Sequence, residues 1–287
     1  MSLKREILSK VSAVPPLPEV IIKLRDCCNN PDINYKEMAK VIETDAGLTS
    51  SILRLANSAY FGCSGSISSV QFAMTRLGLK RIHQMALAIC VAPMARNEVA
   101  GYDLSAESLW EHSLATAMTC SHLAMETGYS EASDAFTAGM LHDLGKSVLG
   151  MFVDDEIVEI RRLVDDEEYA FDEAERAVLG TDHAAVAGML LRHWKVPPHI
   201  TEAVRWHHSP ERCEGDRRLT DLIHVADILC MDIGWGGGRD GMEYRQDCEA
   251  ARRVGVDNAT GERIVSQVLE ELLELKELFE LTEEGVH

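Results

Sequence analysis

The sequence predicts an all-helical protein. Apolar residues recur at three- and four-residue steps through most of the chain, which is the spacing of a helix with one buried face. Strand signals are scarce, because alternating runs of Val, Ile and Thr are rare and aromatic residues make up only 6% of the 287 residues. Hydrophobic residues make up 46%, enough to bury the core of one large domain or two modest ones.

The charge and the cysteine pattern exclude several classes of protein. The chain has 28 Lys and Arg against 47 Asp and Glu, for a net charge of −19. Nucleic acids and anionic membranes are bound by basic surfaces, so we expect neither as a partner. We expect no secretory signal and no membrane span, because no apolar run is long enough. The eight cysteines form no CxxC pair, which favours reduced thiols in a cytoplasmic protein.

The first part of the chain predicts short helices with polar caps. Residues 20–28 carry apolar side chains at helical spacing. Asn34, followed by Glu37, fits a capping box at the start of the next helix, and Asp45 is expected to cap the one after it. The glycine- and serine-rich residues 62–66 predict a loop.

The middle of the chain predicts a boundary between two halves. Residues 70–91 indicate one or two helices that are interrupted at Gly78, and Pro93 is expected to end them. Residues 96–104 are polar and contain glycine, which is typical of a connection between lobes. The predicted lobes are therefore residues 1–100 and 101–287.

The second half continues with helices. Ser105 is expected to cap a helix that extends to Leu123, and Ser133 or Asp134 to start one that ends near Gly145. The acidic residues between 154 and 168 are interpreted as the solvated face of surface helices.

Four further segments complete the second half. Asp182 precedes another helix, and Pro198 opens a short one. Residues 219–231 and 261–281 also have helical spacing. Five glycines in residues 234–241 predict a flexible loop, without the GxGxxG order and preceding strand of a phosphate-binding turn.

The second half carries seven residues of the types that hold divalent metal ions: His112, His142, Asp143, His183, His207, His208 and Asp227. Imidazoles and carboxylates together suit iron, manganese or zinc, as one ion or two. Such a pair of ions can activate water and stabilise a phosphoryl group. Lys146, three residues after Asp143, could neutralise a substrate phosphate, so these two are the candidate catalytic residues.

Each of these residues also has an ordinary structural interpretation. A single histidine on an apolar helix is more often a hydrogen-bonded core residue than a metal ligand. Asp227 is stronger evidence, because a carboxylate on an apolar helix face is rarely buried without a partner. The most specific signal is His142-Asp143 followed by Leu-Gly-Lys. The alternative left open is that the buried His and Asp side chains only hydrogen-bond to each other.

Longer motifs resemble the HDOD domain family over about residues 13–230. The motifs are PPLPE (15–19), TDAGL (44–48), LRLANSAYF (53–61), AGMLHDLGK (138–146), DHA (182–184) and WHH (206–208). The resemblance implies a two-lobed helical bundle whose second lobe is similar to the HD superfamily of metal-dependent phosphohydrolases. It also implies a role in regulation or signal transduction, which is how HDOD proteins are generally regarded.

The resemblance also assigns the candidate ligands. The positions at which the HD superfamily places its four core ligands are His112, His142, Asp143 and Asp227. The positions that correspond to second-metal ligands of the related HD-GYP phosphodiesterases are His183, His207 and His208. Two departures weaken the case for hydrolysis of cyclic di-GMP: the Gly-Tyr-Pro motif is absent after His208, and Ser108 stands where some relatives have a third-metal carboxylate.

Two functions remain open at this stage. One is a non-catalytic signalling module that binds signalling proteins through its N-terminal lobe and holds a metal as a structural part. The other is a metal-dependent phosphohydrolase that acts on a nucleotide or cyclic dinucleotide. Residues 53–61 carry no catalytic chemistry, so they serve either core packing or partner docking.

Overall fold

The computed structural model describes residues 3–28, 34–57, 66–235, 238–241 and 243–283. Within these ranges the regular elements are helices, and the one extended pairing is an isolated bridge between Val99 and Leu104. The prediction of an all-helical protein is confirmed. None of the described helices is long and apolar enough to cross a membrane.

The early helices are short apart from the sixth. Their bounds are α1 Leu3–Ala13, α2 Glu19–Cys28, α3 Tyr35–Ile42, α4 Ala46–Ala56, α5 Val70–Leu77 and α6 Leu79–Ala95. The later helices are α7 Ser108–Glu126, α8 Ala132–Leu141, α9 Gly145–Glu167, α10 Phe171–Leu179, α11 His183–His193, α12 Pro198–Arg205, α13 Arg217–Asp232, α14 Cys248–Val254 and α15 Asn258–Glu283. Short 3-10 helices lie at Ala100–Tyr102 and Pro210–Arg212.

The chain forms two compact units. One contains Met1–Pro16 and Ala92–Val265, and the other contains Leu17–Val91 and Ser266–His287. The first unit therefore includes an N-terminal segment that the sequence did not associate with the second half. The predicted division into residues 1–100 and 101–287 stays a prediction.

Polar caps start the helices of the smaller unit as predicted. Asn34 Oδ1 accepts from the backbone N–H groups of Lys36 and Glu37 at 3.0 and 3.4 Å, and Asp45 Oδ1 accepts from that of Leu48 at 2.9 Å. Each bond satisfies a donor that has no partner in the first helical turn. The predicted loop at 62–66 lies outside the described residues except for Ser66.

The interruption at Gly78 is confirmed, but the expected stop at Pro93 is wrong. Gly78 has φ of +82°, a conformation that side chains disfavour, and it separates α5 from α6. Helix α6 continues through Pro93 to Ala95. Pro93 has no N–H and so costs the helix one backbone hydrogen bond, but only two helical residues follow it, and the Asn97 side chain donates to the Pro93 carbonyl at 2.8 Å.

Two predicted boundaries in the second half also need correction. Helix α7 begins at Ser108, and its N-cap is Glu107 with φ of +76° rather than Ser105. Ser105 instead accepts the backbone N–H of Ser108 with its carbonyl, one turn before the helix. Helix α8 ends at Leu141, so Gly145 begins α9 and does not mark the end of α8.

Other predictions for this half are confirmed. The helix expected after Asp182 is α11, and Asp182 also caps it by accepting from the N–H of Ala185 at 2.7 Å, a role that the sequence did not assign to it. Most acidic residues of α9 are exposed, as expected for a solvated face: Asp154, Asp155, Asp165, Asp166 and Glu167. Helix α15 buries one apolar stripe, formed by Ile264, Val268, Leu272 and Leu275.

Close backbone contacts join pairs of helices in the larger unit. Helix α7 is buried along most of its length and packs against α8 and α13. A Cβ built at Gly139 would lie 2.7 Å from Ala117 Cα, and one at Gly145 would lie 1.9 Å from the His183 carbonyl oxygen. Only glycine permits these approaches, which hold the end of α8 against α7 and the start of α9 against the start of α11.

Candidate metal centre

The structure brings the seven predicted ligands together inside the larger unit. They form two groups, within each of which one ligand atom per residue lies within 4.8 Å of the others. The groups are Asp143, His183, His207 and His208, and His112, His142 and Asp227. All seven side chains are buried. The five stretches of chain that the sequence singled out therefore converge, whereas their roles as ligands stay a prediction.

Helix ends and turns position most of these side chains. His142 and Asp143 occupy the turn between α8 and α9, and His183 is the first residue of α11, directly after its cap. His207 and His208 lie in the turn that follows α12. His112 and Asp227 project from the middle of α7 and α13, and His112 Nε2 lies 3.0 Å from Asp227 Oδ1.

Asp143 faces both groups at once. Its Oδ2 lies 3.6 Å from His112 Nε2 and 3.5 Å from His142 Nε2. Its Oδ1 lies 3.5 Å from His183 Nε2 and 3.8 Å from His207 Nε2. Asp143 could therefore supply one carboxylate oxygen to each donor group if both held a metal ion.

Hydrogen bonds at Nδ1 direct four of the imidazoles into the cluster. In three histidines Nδ1 contacts a backbone carbonyl oxygen: that of Trp235 for His112 (3.2 Å), of Gly139 for His142 (2.7 Å) and of Val204 for His207 (2.7 Å). In His183, Nδ1 contacts the Glu175 carboxylate at 2.8 Å. An imidazole that donates from Nδ1 presents the lone pair of Nε2, which is how metal-binding histidines are commonly oriented.

Three buried atoms of the cluster have no hydrogen-bond partner in the described part of the chain. They are His142 Nε2, His207 Nε2 and Asp143 Oδ1. Buried polar atoms are rarely left without a partner, because desolvation costs about 1–3 kcal/mol per group. Mutual hydrogen bonds do exist, as between His183 Nε2 and His208 Nε2 at 2.9 Å, but they do not satisfy these three atoms. The donor set therefore fits a cation.

The pKa shifts of four cluster residues also suit a cation. Burial alone would raise the pKa values of Asp143 and Asp227, but neighbouring histidines, together with Lys146 at Asp143, outweigh it and hold both pKa values well below the usual range. Burial and the adjacent imidazoles lower the pKa of His207 to about 3 and lower that of His208 as well. Ionised carboxylates and neutral imidazoles are the forms that bind metals.

Glu175 is part of the site, and the sequence analysis missed it. This fully buried carboxylate accepts from the backbone N–H of His183 at 2.9 Å and from its Nδ1 at 2.8 Å, and it also accepts from the Tyr102 hydroxyl. Burial lowers the pKa of His183, but Glu175 and Asp143 raise it to about 9 overall. A signal was available, because Glu175 shares the buried face of α10 with Phe171 and Leu179.

Lys146 lies beside Asp143 as expected, but a second carboxylate holds it as well. Its Nζ is 2.7 Å from Asp143 Oδ2 and 2.6 Å from Asp240 Oδ2. The ammonium also lies 5.6 and 5.5 Å from the ring centroids of Tyr102 and Tyr244. Asp240 comes from the glycine-rich loop, and no sequence pattern predicted that it would reach this cluster.

Comparison with known proteins identifies the family. The HDOD domain family matches residues 14–210, which is more than half of the chain. The chain belongs to the HDOD family.

Solved HDOD-like structures share this fold. An HDOD domain protein with unknown function from Geobacter sulfurreducens is 26% identical, with a TM-score of 0.69 over 98% of this chain and 94% of that one. A Shewanella amazonensis protein that is named "Putative phosphohydrolase" is 25% identical, with a TM-score of 0.62 over 91% and 97% of the two chains.

Curated relatives are longer than this HDOD chain. An uncharacterized protein of Treponema pallidum is 22% identical over 228 residues, which cover 79% of this chain and 44% of the relative. The chain thus spans less than half the length of the curated relatives it matches.

In this HDOD protein, Glu175→Gln is expected to weaken metal binding about 10- to 100-fold, since the carboxylate that orients His183 would lose its charge. Competition of the purified variant with a chromogenic chelator measures the affinity directly. Asp172→Asn is the matched control, because Asp172 is buried on the same helix but pairs with Arg176. Equal affinities in the two variants would contradict a positioning role for Glu175.

Proposed function

We propose that this HDOD chain is a signal-transduction module that holds one or two divalent metal ions in its buried histidine and aspartate cluster. The observation that carries the proposal is the set of buried atoms without a hydrogen-bond partner, His142 Nε2, His207 Nε2 and Asp143 Oδ1, which are all of the kind that binds a divalent cation. Iron, manganese or zinc suits this mixture of imidazoles and carboxylates.

The charge of the cluster supports the same proposal. Four buried carboxylates, Asp143, Glu175, Asp227 and Asp240, accompany a single buried lysine, Lys146. Buried charges need compensation, because leaving them unpaired in a medium of low dielectric is costly. Divalent ions would supply that charge. Without them, protonated histidines must do so, and the raised pKa values of His142 and His183 are consistent with that role.

The signalling part of the proposal rests on the family. HDOD proteins are generally regarded as regulatory, and we propose that signalling proteins dock on the N-terminal lobe. A further argument for a non-catalytic role is that Lys146 already contacts two carboxylates and has no uncompensated charge for a substrate.

Elemental analysis tests the metal. After expression in medium supplemented with iron, manganese and zinc, we expect about one or two ions per chain, and fewer than about 0.1 per chain would overturn the proposal. His142→Ala should lower the metal content. The exposed His193 on α11 offers the matched control, because His193→Ala removes an imidazole without touching the cluster.

A second candidate function is a metal-dependent phosphohydrolase for a nucleotide or cyclic dinucleotide. It is favoured by Asp143, which faces both donor groups, and by the adjacent Lys146. A bound metal pair would supply an activated water. In that function Asp143 would hold the metal, and Lys146 would bind the phosphate once released from Asp240.

Hydrolysis separates the two candidates. Product release from a panel of phosphodiesters by the metal-loaded protein, lost in His142→Ala and Asp143→Ala, would establish the enzyme. Absence of turnover at full metal occupancy would favour the signalling module. Metal content is measured on the same samples to show that the site is loaded. Circular dichroism of each variant shows whether a loss of activity comes only from loss of folding.

A further inference from the structure

The ammonium of Lys146 is enclosed on several sides. Asp143 Oδ2 and Asp240 Oδ2 lie within 2.7 Å of its Nζ, and the rings of Tyr102 and Tyr244 flank it. Lys146 itself is 4% exposed. Among the described residues, the ion pairs of the seven candidate ligands include this one lysine and no arginine.

This enclosure decides which ligands can use the lysine. The Lys146 ammonium faces two carboxylates, so the negative charge beside it already exceeds its single positive charge before any ligand binds. A phosphate group brought to Lys146 would meet Asp240 at the same position, and like charges at hydrogen-bond distance repel strongly where water is excluded. Asp143 is also a candidate metal ligand and would stay bound to the metal. Asp240 is therefore the group that a phosphate would have to displace from Lys146.

The chain holds Asp240 in place by several contacts. The Tyr244 hydroxyl donates to Asp240 Oδ2 at 2.6 Å, and the backbone N–H of Arg239 donates to the Tyr102 carbonyl at 2.6 Å. A Cβ built at Gly238 would lie 2.4 Å from that carbonyl oxygen, so the neighbouring backbone fits only as glycine. The loop is thus shaped to deliver this carboxylate to the cluster.

Only one of the two carboxylate oxygens of Asp240 has a hydrogen-bond partner among the residues that the structure describes. Its Oδ1 is buried and has no hydrogen-bond partner in the described part of the chain. A carboxylate kept only for stability would be expected to have both oxygens satisfied, because each unsatisfied buried group is costly. The position of Asp240 therefore needs an explanation other than stability.

We propose that Asp240 is a specificity-determining residue whose carboxylate occupies the phosphate position on Lys146 and so excludes phosphate-bearing ligands from the metal centre. The inference rests on the proposed metal centre and deepens it. It gives a reason why a complete ligand set can serve a module that does not hydrolyse phosphodiesters.

Titration with inorganic phosphate tests the proposal. Asp240→Asn keeps the shape of the side chain and removes its charge, so the metal-loaded variant should bind phosphate at least about tenfold more tightly than the wild type by isothermal titration calorimetry. Asp221→Asn is the matched control, because Asp221 is an equally buried carboxylate paired with Arg253 instead. It should leave phosphate binding unchanged.

A second variant covers the case in which Asp240→Asn does not fold. Tyr244→Phe keeps the aromatic ring and removes only the hydroxyl that holds Asp240, and a smaller gain in phosphate affinity is expected. Unchanged phosphate binding in the folded variants would overturn the proposal, as would an equal gain in Asp221→Asn.

The two proposals fail in different ways. Elemental analysis before any phosphate is added decides the metal centre on its own. If no metal is found, the proposed function fails, and the same titration then compares the metal-free wild type with metal-free Asp240→Asn. Since Lys146 and Asp240 both belong to the chain, an unchanged affinity in that comparison still overturns the role of Asp240.

Discussion

Asp143→Ala is expected to remove essentially all bound metal, the largest effect of any single substitution in the cluster. Asp143 is the residue whose two oxygens face both donor groups, so its loss takes a ligand from each. Metal content, measured by elemental analysis of the folded variant, should fall from about one or two ions per chain to below about 0.1.

A histidine from one group provides the contrast. His183→Ala removes a ligand only from the group that contains Asp143, His207 and His208. It should therefore leave ions bound by His112, His142 and Asp227. If Asp143→Ala retained as much metal as His183→Ala, the inference that Asp143 serves both donor groups would be wrong.

Gly145→Ala is expected to destabilise the larger unit by about 3 kcal/mol or more, since an added methyl group in a closely packed interior forces the backbone apart. The new Cβ would lie 1.9 Å from the His183 carbonyl oxygen and 2.9 Å from the Ala187 nitrogen. These are backbone atoms that cannot rotate away. Urea unfolding, followed by circular dichroism, gives the change in the unfolding free energy.

The matched control uses a glycine in open surroundings. At Gly215 the nearest atom to an added Cβ is 3.8 Å away, an ordinary contact. Gly215→Ala should change the unfolding free energy by less than about 0.5 kcal/mol. A similar small effect for Gly145→Ala would mean that α9 and α11 do not approach each other as closely as the structure shows.

Features that depend on neighbouring residues were predictable from the sequence. The caps at Asn34 and Asp45 were found because a side-chain oxygen reaches backbone N–H groups two or three residues ahead, whatever the rest of the chain does. The break at Gly78 followed from the same kind of local reasoning. The all-helical fold class needed only the spacing of apolar residues.

Three local predictions failed, at Pro93, Ser105 and Gly145, each by only a few residues. Pro93 is tolerated because the Asn97 side chain bonds its carbonyl and the helix ends two residues later. Ser105 is a favourable cap by type, yet Glu107 takes that position with a positive φ. Residue type alone did not distinguish these outcomes.

The candidate site was predictable as a set of residues but not as an arrangement. Residue type singled out the seven candidate ligands, the resemblance to the HDOD family assigned them, and the structure places them together. Tyr102, in a short 3-10 helix, and Asp240, in the glycine-rich loop, could not be found, because no local sequence pattern shows that either residue reaches the cluster. Glu175 could have been found by the reasoning that was applied to Asp227.

The spread of the seven candidate ligands along the chain has a thermodynamic consequence. They come from residues as far apart as His112 and Asp227, so an ion held by them would cross-link several helices. Because the unfolded chain cannot present these groups together, the binding free energy of the ion becomes folding free energy. The melting temperature of the larger unit would then rise and fall with the supply of free metal around it.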